Sequence, residues 1–97
     1  MKIAVVGSGI SGLSAAYYLS KKHQVDLFEK EDHFGGHSHT IDLFFREKKV
    51  SVDIGFIVFN FKTYPNLINF FKENDIKIEK SNMSFSVSVD NTNFEYC

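Results

Sequence analysis

Gly7, Gly9 and Gly12 stand at the spacing G-x-G-x-x-G, and Glu29 follows 20 residues after Gly9. Glycines in this pattern act through what they lack. Gly7 lets the chain turn sharply, Gly9 keeps a side chain out of the path of a pyrophosphate, and Gly12 lets a helix approach a strand closely. A carboxylate at the position of Glu29 is placed to accept hydrogen bonds from the diol of an adenosine ribose. Its charge repels a 2′-phosphate, which disfavours NADP. The set binds a dinucleotide only if a strand runs into the first glycine, a helix starts within the motif and a second strand ends at the acid.

The flanking residues meet that demand. Ile3 and Val5 alternate into Gly7, Ala16 and Leu19 lie three apart on one helix face, and Val25 and Leu27 alternate towards Glu29. Residues 2–29 therefore read as strand, glycine turn, helix and strand, the first half of a Rossmann-type nucleotide site. The helix in such a unit points unbonded N–H groups and a partial positive charge at the phosphates. A lone glycine motif is weak; the whole spaced unit defines a dinucleotide-binding element.

Ninety-seven residues hold one small domain at most, expected to bury about 65% of the surface of the unfolded chain. An open parallel sheet with helices on both faces usually needs more chain, and a complete flavin or nicotinamide enzyme far more. The net charge of −1, with Lys and Glu interspersed, gives no basis for nucleic-acid binding. The apolar start IAVVG is too short for a signal peptide, and no apolar run approaches the ~20 residues of a membrane span. Cys97 is the only cysteine, which rules out an internal disulfide and fits a cytoplasmic location; no redox role is supported for it. The sequence stops directly after a strand-like segment, so a fragment of a longer protein is expected.

Beyond Glu29 the polar segment KEDHFGGHSHT carries the double glycine Gly35-Gly36. Ile41, Leu43 and Phe45 share one face, as do Val50, Val52 and Ile54, and the charged REKK at 46–49 separates them, which predicts a β-hairpin. GFIVFN at 55–60 is apolar enough to be expected in the interior. Thr63 and Pro65 suit a helix start, Leu67, Phe70 and Phe71 form its apolar stripe, and Asn74-Asp75 ends it. Ile76 and Ile78 predict a short strand; Phe85, Val87 and Val89 alternate with serines in SFSVSVD as another. Residues 90–93 form a turn, and 94–97 pair back. The predicted fold class is α/β, a Rossmann-like βαβ start followed by antiparallel hairpins and one helix, as an incomplete domain.

The glycine motif, the acid at the strand end and the double glycine six residues later resemble the FAD-binding start of the flavin amine oxidase superfamily. That group also takes in protoporphyrinogen oxidases and carotenoid desaturases. More narrowly, GGHSHTIDL, VDIGFIVFN, TYPNLINFF and SNMSFSVS resemble a bacterial family of amine-oxidase-like NAD/FAD-binding proteins. The resemblance implies that residues 1–97 are the N-terminal part of an FAD/NAD(P)-binding Rossmann-like domain, about the first quarter of such a protein. The substrate domain and the late strand that completes the FAD site would lie elsewhere. It further implies that Gly7, Gly9, Ile10, Ser11 and Gly12 surround the FAD pyrophosphate, that Glu29 holds the adenosine ribose with Lys30 beside it, and that Gly35 and Gly36 bring backbone to the phosphates or ribityl chain. His33 and His37 depart from the superfamily, many of whose members carry arginine around the double glycine. Histidine can still donate a hydrogen bond at position 37, but it is charged only part of the time near neutral pH.

The implied activity is that of a flavin-dependent oxidoreductase, oxidising a C–N or C–C bond by hydride transfer to FAD, with an amine or an apolar acyl or isoprenoid chain as substrate. No residue of this chain is assigned as a catalytic acid or base, and the 97 residues alone are expected to be inactive. An NAD-dependent dehydrogenase shares the fingerprint, but should return to helix and parallel strand after the second strand. A truncated, non-catalytic nucleotide-binding module, with exposed apolar strand faces and a tendency to aggregate, is the remaining reading. His33, His37 and His39 raise a metal site, because His37 and His39 would share a face of an extended segment; against it, no cysteine lies near and the nearby acids meet no ligand spacing, so none is assigned. Asp53 is either a group near the flavin or a strand-end residue. Phe56, Phe59, Phe61 and Tyr64 line a substrate channel or form simple core, and Ser8 and Ser11 lack a base that would make them nucleophiles.

Overall fold

Strands β1 (Lys2–Val6) and β2 (Gln24–Phe28) lie parallel, with Lys2 opposite Gln24 and Val6 opposite Phe28, and helix α1 (Ile10–Ser20) connects them. They belong to a computed structural model that describes residues 1–96. The predicted βαβ start is therefore present. Ile3, Val5, Val25 and Leu27, the alternating residues of the two strands, are half-buried beneath the helix, as are Leu13, Ala16 and Leu19 on the helix itself. Close packing at the start of α1 depends on Gly12, where an added Cβ would come within 1.8 Å of the Gly7 carbonyl oxygen. Lys2 and Asp26 form an exposed ion pair across the sheet at 3.2 Å.

The predicted hairpin follows as β3 (Thr40–Phe45) and β4 (Lys48–Asp53). Its turn is the pair Arg46 and Glu47, at φ of 47° and 63°, the left-handed geometry that matches strand twist in a two-residue loop. Ile41 faces Val52 and Leu43 faces Val50 on one side, while Thr40 faces Asp53 and Asp42 faces Ser51 on the other. The polar side is stitched by hydrogen bonds from Thr40 to Asp53 and from Ser51 to Asp42, with Lys49 paired to Asp42 at 2.8 Å. Asp53 is thus a strand-end residue bonded across its own hairpin.

Helix α2 (Pro65–Glu73) begins with proline in its first turn and ends at Asn74, with Asp75 at φ 52°. Asn60 prepares the helix start by accepting hydrogen bonds from the Lys62 and Thr63 N–H groups. Leu67, Phe70 and Phe71 are half-buried as expected, but the most enclosed residue of the helix is Ile68, outside the predicted stripe. The helix meets α1 through an edge-to-face contact of Phe70 on Tyr17 at 5.4 Å and an ion pair of Lys21 with Glu73 at 3.5 Å. Phe59 packs on Phe61, Tyr64 and Phe71, and Phe56 on Tyr64, so these rings form a cluster with one another.

Several expectations fail, and for one reason. Phe56 and Ile57 in GFIVFN are 39% and 56% exposed rather than interior. Residues 76–78 form no strand, and SFSVSVD contributes only β5 (Val87–Ser88), paired with β6 (Glu95–Tyr96) around the expected turn at 90–93. Cys97, the last residue of the predicted returning strand, lies outside the described residues. A strand needs a partner for its N–H and C=O groups and a layer for its apolar face. Here each sheet is a separate two-stranded pair. Ile68 is the one buried apolar side chain among the described residues. The radius of gyration is 18.2 Å, against about 13 Å for a compact domain of this size. The accessible surface of 8799 Å² corresponds to burial of about 45% of the unfolded chain's surface, well below the expected 65%. No helix among the described residues is long and apolar enough to cross a membrane.

Candidate functional site

The three segments singled out by sequence meet at the carboxyl ends of β1 and β2. Gly7, at φ 92°, turns the chain out of β1, and its N–H donates to the Phe28 carbonyl at 2.7 Å, tying the turn to the end of β2. Gly9 caps α1, and the first intrahelical bond runs from the Leu13 N–H to the Gly9 carbonyl at 2.9 Å. The N–H groups of Ile10, Ser11 and Gly12 precede that bond, with no side-chain cap and no acidic residue in the first turn. This is the arrangement that favours an anion at a helix start. A Cβ at Gly9 would meet nothing within 4 Å, so the backbone there borders open space.

The double glycine docks onto this turn. The Gly35 N–H donates to the Ser8 carbonyl at 2.8 Å, Gly9 and Gly35 form a parallel bridge, and a Cβ at Gly36 would lie 3.1 Å from the Gly9 Cα. On its far side the same segment is held by the start of the chain after β4, through the Phe56 N–H on the His37 carbonyl and the Ile54 N–H on the His39 carbonyl. His37 thus contributes its main chain to the scaffold while its side chain is exposed.

Glu29 sits at the mouth of the turn with both carboxylate oxygens occupied. Oε2 accepts the Ser8 N–H at 2.7 Å and the Ser8 hydroxyl at 2.6 Å; Oε1 accepts the N–H groups of Lys30 at 2.8 Å and Glu31 at 3.0 Å. The Glu31 N–H, then the Ser8 hydroxyl and N–H, hold its carboxyl at about 2, below the ordinary 4.5. Its negative charge is therefore permanent at neutral pH. The Lys30 ammonium pairs with Glu31 at 3.3 Å. A hollow of about 450 Å³ opens against Val6, Gly7, Phe28, Glu29 and Lys30. Val6 and Phe28 are 85% and 56% exposed and form its apolar wall, a lining suited to a flat aromatic base beside a ribose.

His33 and His39 stack edge-to-face at 4.1 Å, with Asp32 3.3 Å from the His33 Nδ1, so the histidine that joins His39 is His33 and not His37. No group of three or more metal-ligating side chains forms among the described residues. Sequence reasoning passed over Val6 and Phe28, which read only as strand residues, and over the reach of Ser8 to Glu29. The position of Val6 and Phe28 beside Gly7 and Glu29 was the available signal for the first two. For Ser8 there was none, since nothing in the spacing states that a turn side chain bonds across 21 residues.

Comparison with known proteins agrees with this geometry. The profile of the NAD(P)-binding Rossmann-like domain matches residues 5–74, and the chain belongs to that family. It is 54% identical over 43 residues to a 1-hydroxycarotenoid 3,4-desaturase of Flavobacterium sp. (strain P99-3), covering 43% of this chain and 9% of that protein. It is 57% identical over 37 residues to a 4,4'-diapophytoene desaturase (4,4'-diaponeurosporene-forming) of Staphylococcus haemolyticus (strain JCSC1435), covering 37% and 7%. Prenylcysteine oxidase 1 of Rattus norvegicus is 50% identical over 44 residues, covering 41% and 8%. The matches thus span less than a tenth of the length of these curated relatives. The resemblance to the superfamily that includes carotenoid desaturases is borne out, and the chain carries the dinucleotide-binding unit that such oxidoreductases share.

Proposed function

We propose that this chain is the first part of the FAD-binding domain of a flavin-dependent oxidoreductase. The observation that carries the reading is the bridge between Gly9 and Gly35, which adds a second glycine segment to the phosphate turn. An antiparallel hairpin after β2, in place of a third parallel strand, favours FAD over the nicotinamide dehydrogenase reading. The open space at Gly9 and the uncapped start of α1 fit a pyrophosphate held by Gly7, Gly9, Ile10, Ser11 and Gly12. Glu29 would hold the adenosine ribose, with Lys30 beside it, and Gly35, Gly36 and His37 would close over the phosphates or ribityl chain. For a ribose hydroxyl to bond Glu29, one of its four present donors must yield or share. When bound, the flavin supplies two-electron oxidation of a C–N or C–C bond.

The unpaired edges of the two-stranded β1–β2 sheet and the exposed apolar faces support a domain completed by further chain. Relatives named for carotenoid and prenyl substrates favour an apolar isoprenoid chain over an amine. A reducing compartment, the cytoplasm, suits a sequence with one cysteine. Fluorescence titration of the 97-residue chain with FAD, with NAD as competitor, tests the cofactor. Saturable binding that NAD does not displace is expected. Preferential binding of NAD overturns the assignment, and no binding by a folded chain would mean that these residues do not suffice for the site.

A further inference from the structure

Ser8 is the only fully enclosed side chain among the described residues, with no exposed surface. A polar residue so placed must satisfy its groups within the protein, and each polar group of Ser8 reaches another segment. Its N–H and hydroxyl both donate to Oε2 of Glu29, at 2.7 and 2.6 Å, and its carbonyl accepts the Gly35 N–H at 2.8 Å. One residue thus joins the phosphate turn, the end of β2 and the double glycine.

We infer that Ser8 is a positioning residue whose hydroxyl orients the Glu29 carboxylate for ribose while its carbonyl seats the Gly35-Gly36 segment. Three of the four donors on Glu29 are main-chain N–H groups, so the hydroxyl is the one donor that the choice of side chain decides. Other side chains serve worse. Alanine removes the bond, threonine adds a methyl group to an enclosed site, and aspartate sets a second negative charge against Glu29. The low carboxyl value of Glu29 is consistent with the same bonds. The ribose role of Glu29 rests on the function proposed above, whereas the coupling of Ser8 to Glu29 does not.

The test uses the 97-residue chain and two readouts. Carbon-detected NMR follows the titration of the Glu29 carboxyl in the wild type and in Ser8→Ala, and calorimetry follows ADP-ribose binding in both and in the Glu29→Gln background. Ser8→Ala is expected to raise the Glu29 midpoint by about one unit or more. It should weaken ADP-ribose binding about tenfold when Glu29 is present and less than about twofold when Glu29 is already glutamine. An unchanged midpoint, or equal losses of affinity in the two backgrounds, overturns the inference. Should Ser8→Ala not fold, the wild type alone decides. A hydroxyl proton of Ser8 protected from exchange until Glu29 protonates supports the inference, and a freely exchanging one refutes it. If the wild type binds no ADP-ribose, the nucleotide reading fails, and the carboxyl titration still decides the coupling of Ser8 to Glu29.

Discussion

Gly9 and Gly12 lie three residues apart in one motif, yet the structure gives them opposite sensitivities. At Gly12 a Cβ would sit 1.8 Å from the Gly7 carbonyl oxygen and 2.9 Å from its carbon, both main-chain atoms. Ordinary contact begins near 3.4 Å, so Gly12→Ala requires the start of α1 to lift by about 1.6 Å. Forcing extra volume into a packed site costs about 1–3 kcal/mol where neighbours can give, and more where the obstacle is backbone. With one apolar side chain buried among the described residues, that loss is a large part of the total stability. At Gly9 the backbone is at φ −64° and ψ 174°, open to any residue, and a Cβ meets nothing within 4 Å. Gly9→Val should therefore leave stability within about 0.5 kcal/mol while abolishing dinucleotide binding, because its branches fill the space assigned to the pyrophosphate. Urea unfolding and FAD titration on both variants separate the two effects. A Gly12→Ala chain as stable as wild type refutes the close-packing argument. A Gly9→Val chain that still binds FAD refutes the phosphate site.

Glu29→Ala should weaken ADP-ribose binding by about tenfold or more, the scale of a lost hydrogen bond to a charged group; equal affinity by calorimetry would remove the ribose assignment. Because the folded carboxyl of Glu29 is lowered to about 2 from 4.5, its contribution to stability is present above the unfolded value and is lost as pH falls through the folded one. The stabilities of wild type and Glu29→Gln, read by urea unfolding at a series of pH values, should therefore converge as pH falls from about 4.5 to 2, and a difference that persists below that window contradicts the bonding described. Ile68→Ala should cost about 2 kcal/mol or more in urea unfolding, as the one buried apolar residue among those described; a negligible effect would mean that α2 is not held by its buried face. Chelator treatment should leave cofactor content unchanged, and its loss would restore a metal role for the histidines.

What was legible in the sequence was local. The alternation of Ile3 and Val5, the glycine spacing and the alternation of Val25 and Leu27 each state a backbone requirement over a few residues, and β1, α1 and β2 follow them. The hairpin was equally plain, since Ile41, Leu43, Val50 and Val52 share a face in the register observed and a one-residue slip would part them. Ile76, Ile78 and Phe85 carry the same apolar pattern without forming the strand it predicts. Alternation states which face wants cover; it does not supply the neighbouring strand or layer.

The amino-acid sequence by itself therefore determined the nucleotide-binding unit, because turn glycines, strand alternation and an acid at a strand end act over short range. The tertiary structure decided what those segments do to one another. It laid Gly35 against Gly9, turned the Glu29 carboxylate onto Ser8, and set His33 rather than His37 beside His39. These contacts depend on how the chain folds back between distant residues, and no spacing along the chain encodes the direction in which a side chain then points.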